Sequence, residues 1–323
     1  MTTRIAADTL ARCLVLAGPT ASGKTALGIA WAHELDAEIV ALDSMSLYRG
    51  MDIGTAKATR QEQSLVPHHL LDVIEPHQEY SVAEYVEAAA AACETILARG
   101  RVPLFVGGTG LYLRAILRGV FEGPPADWAL REDLEKQAAA QHPDWLWQQL
   151  DRVDPVSASR LHPHDTRRLV RAIEVHTLTG QPLSVQQQEH AGRATTRPLR
   201  TAWLSPPRAW LYERINSRVN SMVDNGLLEE VAMLIAADPP PGRSACQALG
   251  YKEIIDHLEG RCSLEEAVDT IKRHTRRFAR KQTTWFRNLE ECHEIAMTGT
   301  ESTAELMAAI TAIPNSSPVD VSS

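Results

Sequence analysis

The 323-residue chain lacks several things, and each absence narrows what it can be. No apolar run reaches the roughly 18 residues that a membrane span needs. Met1 to Leu10 contains no apolar core of the kind a secretion signal carries. A cytoplasmic protein with no membrane partner is therefore expected. The five cysteines are scattered, odd in number and without C-x-x-C spacing. That pattern fits free thiols in a reducing compartment, not a disulfide framework. His68, His69, His162 and His164 match no zinc spacing, so hydrogen-bonding roles are expected of them. There are no internal repeats. A net charge of −8 counts weakly against nucleic acid, although such binding depends on local patches and not on the sum.

What is present begins with Leu14-Val15-Leu16-Ala17, a short apolar run that reads as a buried strand. It leads into Gly18-Pro19-Thr20-Ala21-Ser22-Gly23-Lys24-Thr25, a G-x-x-x-x-G-K-T loop, and then into a helical stretch. Strand, loop and helix in that order are the context in which such a loop cradles phosphate. Its amides can converge on a polyphosphate. Lys24 adds a mobile positive charge, and Thr25 a hydroxyl for a magnesium ion. The loop specifies polyphosphate or pyrophosphate; it names neither the nucleotide nor the bond that breaks.

Further strands are expected at 37–42, 102–106 and 201–204, with helices at about 82–98 and 111–117 between them. This alternation predicts an α/β fold with a doubly wound parallel sheet of the P-loop NTPase type. Residues 119–200 carry helical patterns only, at about 128–141, 144–150, 166–178 and 183–188. They read as a helical insertion into a core made of 1–118 and 201–297. Two long helices follow, at about 209–236 with a break near Asn225-Gly226, and at 263–288. The segment 298–323 reads as a flexible tail. The stretch from Ser44 to Lys57 is rich in Gly and polar groups and reads as a functional loop.

Four groups of side chains could carry chemistry. Asp43 stands at the carboxyl end of a strand beside the phosphate loop, where it can hold magnesium or act as a general base. The run 272–287 holds seven Lys or Arg and no acid. Arg273, Arg276, Arg277, Arg280 and Lys281 share one helical face there, suited to a polyanion. Arg167, Arg168 and Arg171 form a second cationic face, with Leu169 and Val170 on the other side and Asp165 as a cap. Arg214 and Arg218 are one turn apart, so either can complete an anion clamp.

Taken in order, the motifs resemble the tRNA isopentenyl transferase family over about residues 12 to 290. The resemblance rests on the loop at 18–25, on Asp43-Ser44-Met45, and on Tyr48 through Lys57. It continues through Pro67-His68-His69-Leu70, Gly107 through Tyr112, Arg167 through Ala172, Ala248-Leu249-Gly250-Tyr251 and Gln282 through Arg287. It implies transfer of a dimethylallyl group from dimethylallyl diphosphate to N6 of adenine 37, next to the anticodon, in tRNAs reading codons that begin with U. Residues 18–25 would hold the diphosphate with Mg2+ at Thr25 and Asp43. Lys24, Thr25 and Arg218 would serve the leaving group, and Asp43 would be the base. The anticodon stem-loop would meet Asp43, Ser44, Met45 and Ser46, then 167–171 and Gln247, Ala248, Leu249, Gly250, Tyr251 and Lys252. Thr109 and Arg131 would line the passage of the flipped base, and the enzyme would act as a monomer. Ser46 departs from the Gln that many members carry. A P-loop kinase using ATP, a prenyltransferase acting on free adenine nucleotides, and an RNA-binding module with a structural anion site are the alternatives.

Overall fold

A computed structural model describes residues 2–189 and 196–315, and the chain divides into two units. One comprises 4–117 and 194–323, the other 1–3 and 118–193.

The larger unit is built on a six-stranded sheet. Leu14–Ala17 (β1) is buried at every position, as is Ala37–Leu42 (β2). Such unbroken burial is what a strand covered on both faces requires. Lys24–Glu34 (α1) lies between them. His68–His69 (β3) is a two-residue strand. Val82–Ala98 (α2) starts at Ser81, which forms a reciprocal capping box with Glu84. Val102–Gly107 (β4) and Gly110–Arg118 (α3) follow. After the smaller unit come Arg200–Ser205 (β5), Arg208–Asp224 (α4) and Leu227–Ile235 (α5). Gly226, at φ 98°, breaks α4 from α5. Tyr251–Leu258 (α6), Leu264–Arg287 (α7), His293–Ala296 (β6) and Thr303–Thr311 (α8) complete the unit.

The sheet order is β3-β2-β4-β1-β5-β6, and every neighbouring pair is parallel. β1 therefore sits inside the sheet, between β4 and β5. The loop that leaves its carboxyl end is held by strands on either side. Leu14, Leu16, Leu27, Trp31, Leu104 and Leu204 belong to the core that fixes β1 and α1.

Three features differ from the sequence reading. The segment after 298 is not a flexible tail through 315. Its helix α8 is capped by Ser302 and Glu305, and Leu306, Ile310 and Ile313 enter the main core. Residues 316–323 lie outside the described residues. Strand β6 had no sequence signal, because only Ile295 among its four residues is buried. Thr2–Thr3 belongs with the smaller unit, where it pairs antiparallel with Val120–Phe121.

The smaller unit is otherwise helical: Trp128–Ala139, Trp145–Val153, Pro155–Arg160, Thr166–Thr179 and Leu183–Glu189. Its core includes Leu134, Leu146, Leu150, Leu169, Val170 and Ile173. Buried Asp154 starts the third of these helices and accepts hydrogen bonds from the hydroxyls and amides of Ser157 and Ser184. No helix among the described residues is long and apolar enough to cross a membrane.

Candidate active site

The loop between β1 and α1 takes conformations that glycine supplies cheaply. Gly18 and Gly23 lie at φ 153° and 92°, and Ala21, with a side chain to accommodate, lies at φ 63°. Strain of that kind persists where the surroundings hold it. Arg214 from α4 donates its Nε to the Ala21 carbonyl at 2.9 Å, and Lys24 Nζ donates to the Pro19 carbonyl at 2.6 Å. Burial and the nearby Arg218 push the Lys24 amine down to about 7, with Asp43 opposing. Burial also lowers Arg218, again against Asp43 and together with Arg214. Two guanidinium groups and an amine therefore crowd one loop, facing one carboxylate. Such a surplus of positive charge around a loop suits an anion. Ser22 Oγ, buried in the same loop, has no hydrogen-bond partner among the described residues.

Asp43 follows the last residue of β2 and turns the chain sharply. Its Oδ1 accepts from the Met45 amide at 2.8 Å, and its carbonyl from the Ser46 hydroxyl at 3.1 Å. The Leu42 carbonyl accepts from the amides of both Gly108 and Thr109 at 3.0 Å. Thr109 Oγ1 in turn accepts from the Ser44 amide at 3.1 Å. The ends of β2 and β4 are thus tied together through backbone and one hydroxyl. Beneath them Tyr85 and Tyr112 stack at 3.9 Å, and Tyr85 donates to the Ala41 carbonyl at 2.9 Å.

Arg218 reaches from α4 to Thr20 Oγ1 at 3.4 Å and to the Thr55 carbonyl at 3.5 Å. It therefore spans the phosphate loop and the 44–57 stretch. That stretch is irregular from end to end but well anchored. Glu230 of α5 accepts from the amides of Asp52, Ile53 and Gly54 at 2.9, 2.8 and 3.1 Å. It also accepts from the Tyr251 hydroxyl at 2.6 Å. Gly54 is required here, because a Cβ would meet the Tyr251 ring at 2.4 Å. Lys57 bonds to Asp52 and Asp72, both at 2.6 Å, and to the Tyr48 carbonyl at 2.7 Å. A cavity of about 800 Å³ opens beside Thr25 and Arg218, with Ile53, Ala56 and Met222 in its lining.

The residues expected to touch RNA divide by burial. In the larger unit Gln247 and Lys252 are exposed, while Ala248, Gly250 and Tyr251 are buried. Tyr251 is fully enclosed, and burial together with Glu230 keeps its hydroxyl protonated. Its place in the motif is explained by holding Gly54, not by a surface contact. Ser46 is also buried, its hydroxyl spent on the Asp43 carbonyl. On α7, Arg273, Arg277, Arg280, Lys281 and Phe278 are exposed. Arg276 is drawn away to Asn216 Oδ1 at 2.6 Å. Phe286 packs inward against Trp203.

In the smaller unit Arg167 is exposed, but Leu169 and Val170 are core residues. Their side chains can serve a ligand only by setting the helix. Arg131 is fully engaged: it meets buried Glu174 through two bonds of 2.8 Å and stacks over Trp128. Arg171 pairs with the same carboxylate and donates to the Pro124 carbonyl. Burial alone would raise the Glu174 carboxyl, but these arginines outweigh it and hold it low. Asp165 starts its helix without a side-chain capping bond and pairs instead with Arg168 at 3.0 Å. The histidines hydrogen-bond, His68 to the Val66 carbonyl and His69 to Glu38.

Two residues escaped the sequence reading as site components. Glu230 and Gln282 each act on loops more than 170 positions away, and no local spacing signals that. Gln282 was legible only as part of a motif.

The chain matches the family model described as IPP transferase over residues 46–289. It is 46% identical to the tRNA dimethylallyltransferase of Pelotomaculum thermopropionicum, covering 86% of this chain and 88% of that protein. Among solved structures it is similar to the full-length tRNA isopentenylpyrophosphate transferase of Bacillus halodurans. There the TM-score is 0.66 and the identity 38%, covering 93% of this chain and 95% of that one. A eukaryotic dimethylallyltransferase, solved acting on tRNA, matches with a TM-score of 0.76 at 25% identity, over 98% of this chain and 82% of that one. With three-quarters of its length inside the family model, and the loop, carboxylate and arginine of the site gathered in one unit, the chain belongs to the IPP transferase family.

Proposed function

We propose that the protein transfers the dimethylallyl group of dimethylallyl diphosphate to N6 of adenine 37 in tRNAs reading codons that begin with U. The observation that carries this reading is the convergence of Lys24, Arg214 and Arg218 on a loop whose backbone is already bent for phosphate. The donor's diphosphate would lie on residues 18–25, with Arg218 closing over it. The unpaired Ser22 hydroxyl is a donor that a phosphate oxygen would satisfy.

An exocyclic adenine amine is a poor nucleophile, because its lone pair is delocalised into the ring. The allylic carbon compensates by tolerating positive charge as its bond to oxygen breaks. The electron pair of that bond leaves with diphosphate, so the protein's main task is to stabilise charge on the leaving group. Lys24, Arg218 and the loop amides perform it. As the N6–C1 bond forms, Asp43 takes the N6 proton. Thr25 and Asp43 would hold Mg2+, since magnesium pairs one or two carboxylates with substrate phosphates. The ion would neutralise charge on the departing diphosphate. The tRNA would dock through its anticodon stem-loop, with the target base flipped out of its stack. Exposed Gln247, Lys252 and the outer face of α7 on the larger unit, and on the smaller unit exposed Arg167, are each candidates for phosphate contact.

The test is incubation with labelled dimethylallyl diphosphate and unmodified tRNA bearing A36-A37-A38, followed by mass analysis of the nucleosides. N6-isopentenyladenosine at position 37 is the expected product. No label in tRNA at micromolar enzyme, or turnover of ATP with a small acceptor instead, rejects the reading.

A further inference from the structure

Gln282 lies on α7 and is buried. Its Oε1 accepts from the Thr20 amide at 2.9 Å, and its Nε2 donates to the Gly108 carbonyl at 2.8 Å. The amide orientation is forced by chemistry, because a backbone N–H needs an acceptor and a carbonyl needs a donor. Thr20 belongs to the loop after β1. Gly108 belongs to the loop after β4, one residue before Thr109, whose hydroxyl holds the Ser44 amide next to Asp43. One side chain therefore bridges the loop assigned to the donor and the loop assigned to the acceptor. The fit is close: a Cβ on Gly108 would meet Gln282 Nε2 at 2.4 Å. The bridge also comes from the helix whose opposite face carries exposed Arg273, Arg277 and Arg280.

We propose that Gln282 is a positioning residue that sets the register between the two loops, and with it the distance between the donor carbon and the adenine amine. This rests on the reading above, that residues 18–25 hold diphosphate and that Asp43 and Thr109 face the base. Gln282 touches neither reactant. Its influence is on alignment, where a displacement of about 1 Å can cost 10²-fold in rate. The loop keeps its other anchors without it, Lys24 on the Pro19 carbonyl and Arg214 on the Ala21 carbonyl, so donor affinity should change less than turnover.

The test is a double-mutant cycle on steady-state transfer to tRNA, with wild-type turnover as the reference. Gln282→Ala removes both bonds. Gly108→Ala leaves Gln282 present but pushes its amide aside. Each is expected to lower kcat by about 10- to 100-fold while the donor KM changes by less than about 3-fold. In the double variant the new methyl loses its clash with Gln282 and keeps only a 3.2 Å approach to the Gly18 carbonyl, so the two losses should be clearly less than multiplicative. Unchanged kcat in Gln282→Ala, a loss confined to KM, or multiplicative losses in the double variant would overturn the proposal. Should Gln282→Ala fail to fold, the isosteric Gln282→Glu answers the same question: its carboxylate still accepts from the Thr20 amide but meets the Gly108 carbonyl with no proton to donate, so kcat should fall with donor KM changed by less than about 3-fold, and a parental kcat counts against the bridge. Absence of transfer by the wild-type enzyme would instead defeat the underlying functional reading.

Discussion

Replacing Glu230 tests how the 44–57 loop is held. The carboxylate takes four hydrogen bonds: Oε2 from Asp52 and Ile53, Oε1 from Gly54 and the Tyr251 hydroxyl. In Glu230→Gln the remaining carbonyl can keep the Oε2 pair. The amide nitrogen then faces the Gly54 amide, donor against donor, while the Tyr251 hydroxyl can turn and accept. One bond is lost and one donor stranded, costing about 1–3 kcal/mol. Glu230→Ala strands all four donors and opens a void, costing about 3–5 kcal/mol. Because the contacts are local, the cost falls on opening of the loop. Amide hydrogen exchange at residues 52–54 should therefore quicken by roughly 5- to 150-fold in the Gln variant and 100- to 3000-fold in the Ala variant, at tenfold per 1.4 kcal/mol. Arg218 leans on the Thr55 carbonyl of the same loop, so donor KM should rise in the same order. Equal exchange in the two variants, or exchange within twofold of the parent in both, would refute this account.

Four other expectations concern charge. The depressed Lys24 amine, at about 7, must gain a proton when it meets diphosphate. Donor affinity should then weaken by roughly tenfold per pH unit above 7, a slope that calorimetry from pH 7 to 9 would find and that Lys24→Met should abolish. Asp43→Ala should reduce kcat by about 10²-fold or more, far more than it weakens donor binding; an unaltered turnover number in quenched-flow assays excludes the base. Arg167→Ala should flatten the salt dependence of tRNA binding, by less than one unit in the log–log slope. Arg171→Ala should instead lower the melting temperature, since its guanidinium is committed to Glu174. Filter binding and thermal unfolding separate the two.

Much of the larger unit was legible because its signals are local. The strand at 14–17, the loop after it and the Ser81 cap each declare themselves within a few residues. The placement of Asp43 followed from the same logic. The C-terminal helix was misread on composition, although Leu306, Ile310 and Ile313 keep a helical spacing and Ser302-x-x-Glu305 is a capping box. The short helix at 60–65 carries the same kind of sign in Thr59 and Glu62. The roles of Tyr251, Leu169 and Val170 were not legible. A motif records which residues travel together, without saying which face solvent and which hold the others in place. Gln282 and Thr20 stand 262 positions apart, beyond any reading by period or spacing.

The strand order has a consequence for synthesis. β1 is complete after 17 residues, yet its partners on either side arrive with residues 102–107 and 200–205. The edge strand beyond β5 comes only at 293–296. A nascent chain thus holds its first-made strand bare along one flank until some two hundred codons have been read, and any message cut short before the last of them yields an apolar ribbon with unpaired edges. Such fragments are templates for clumping.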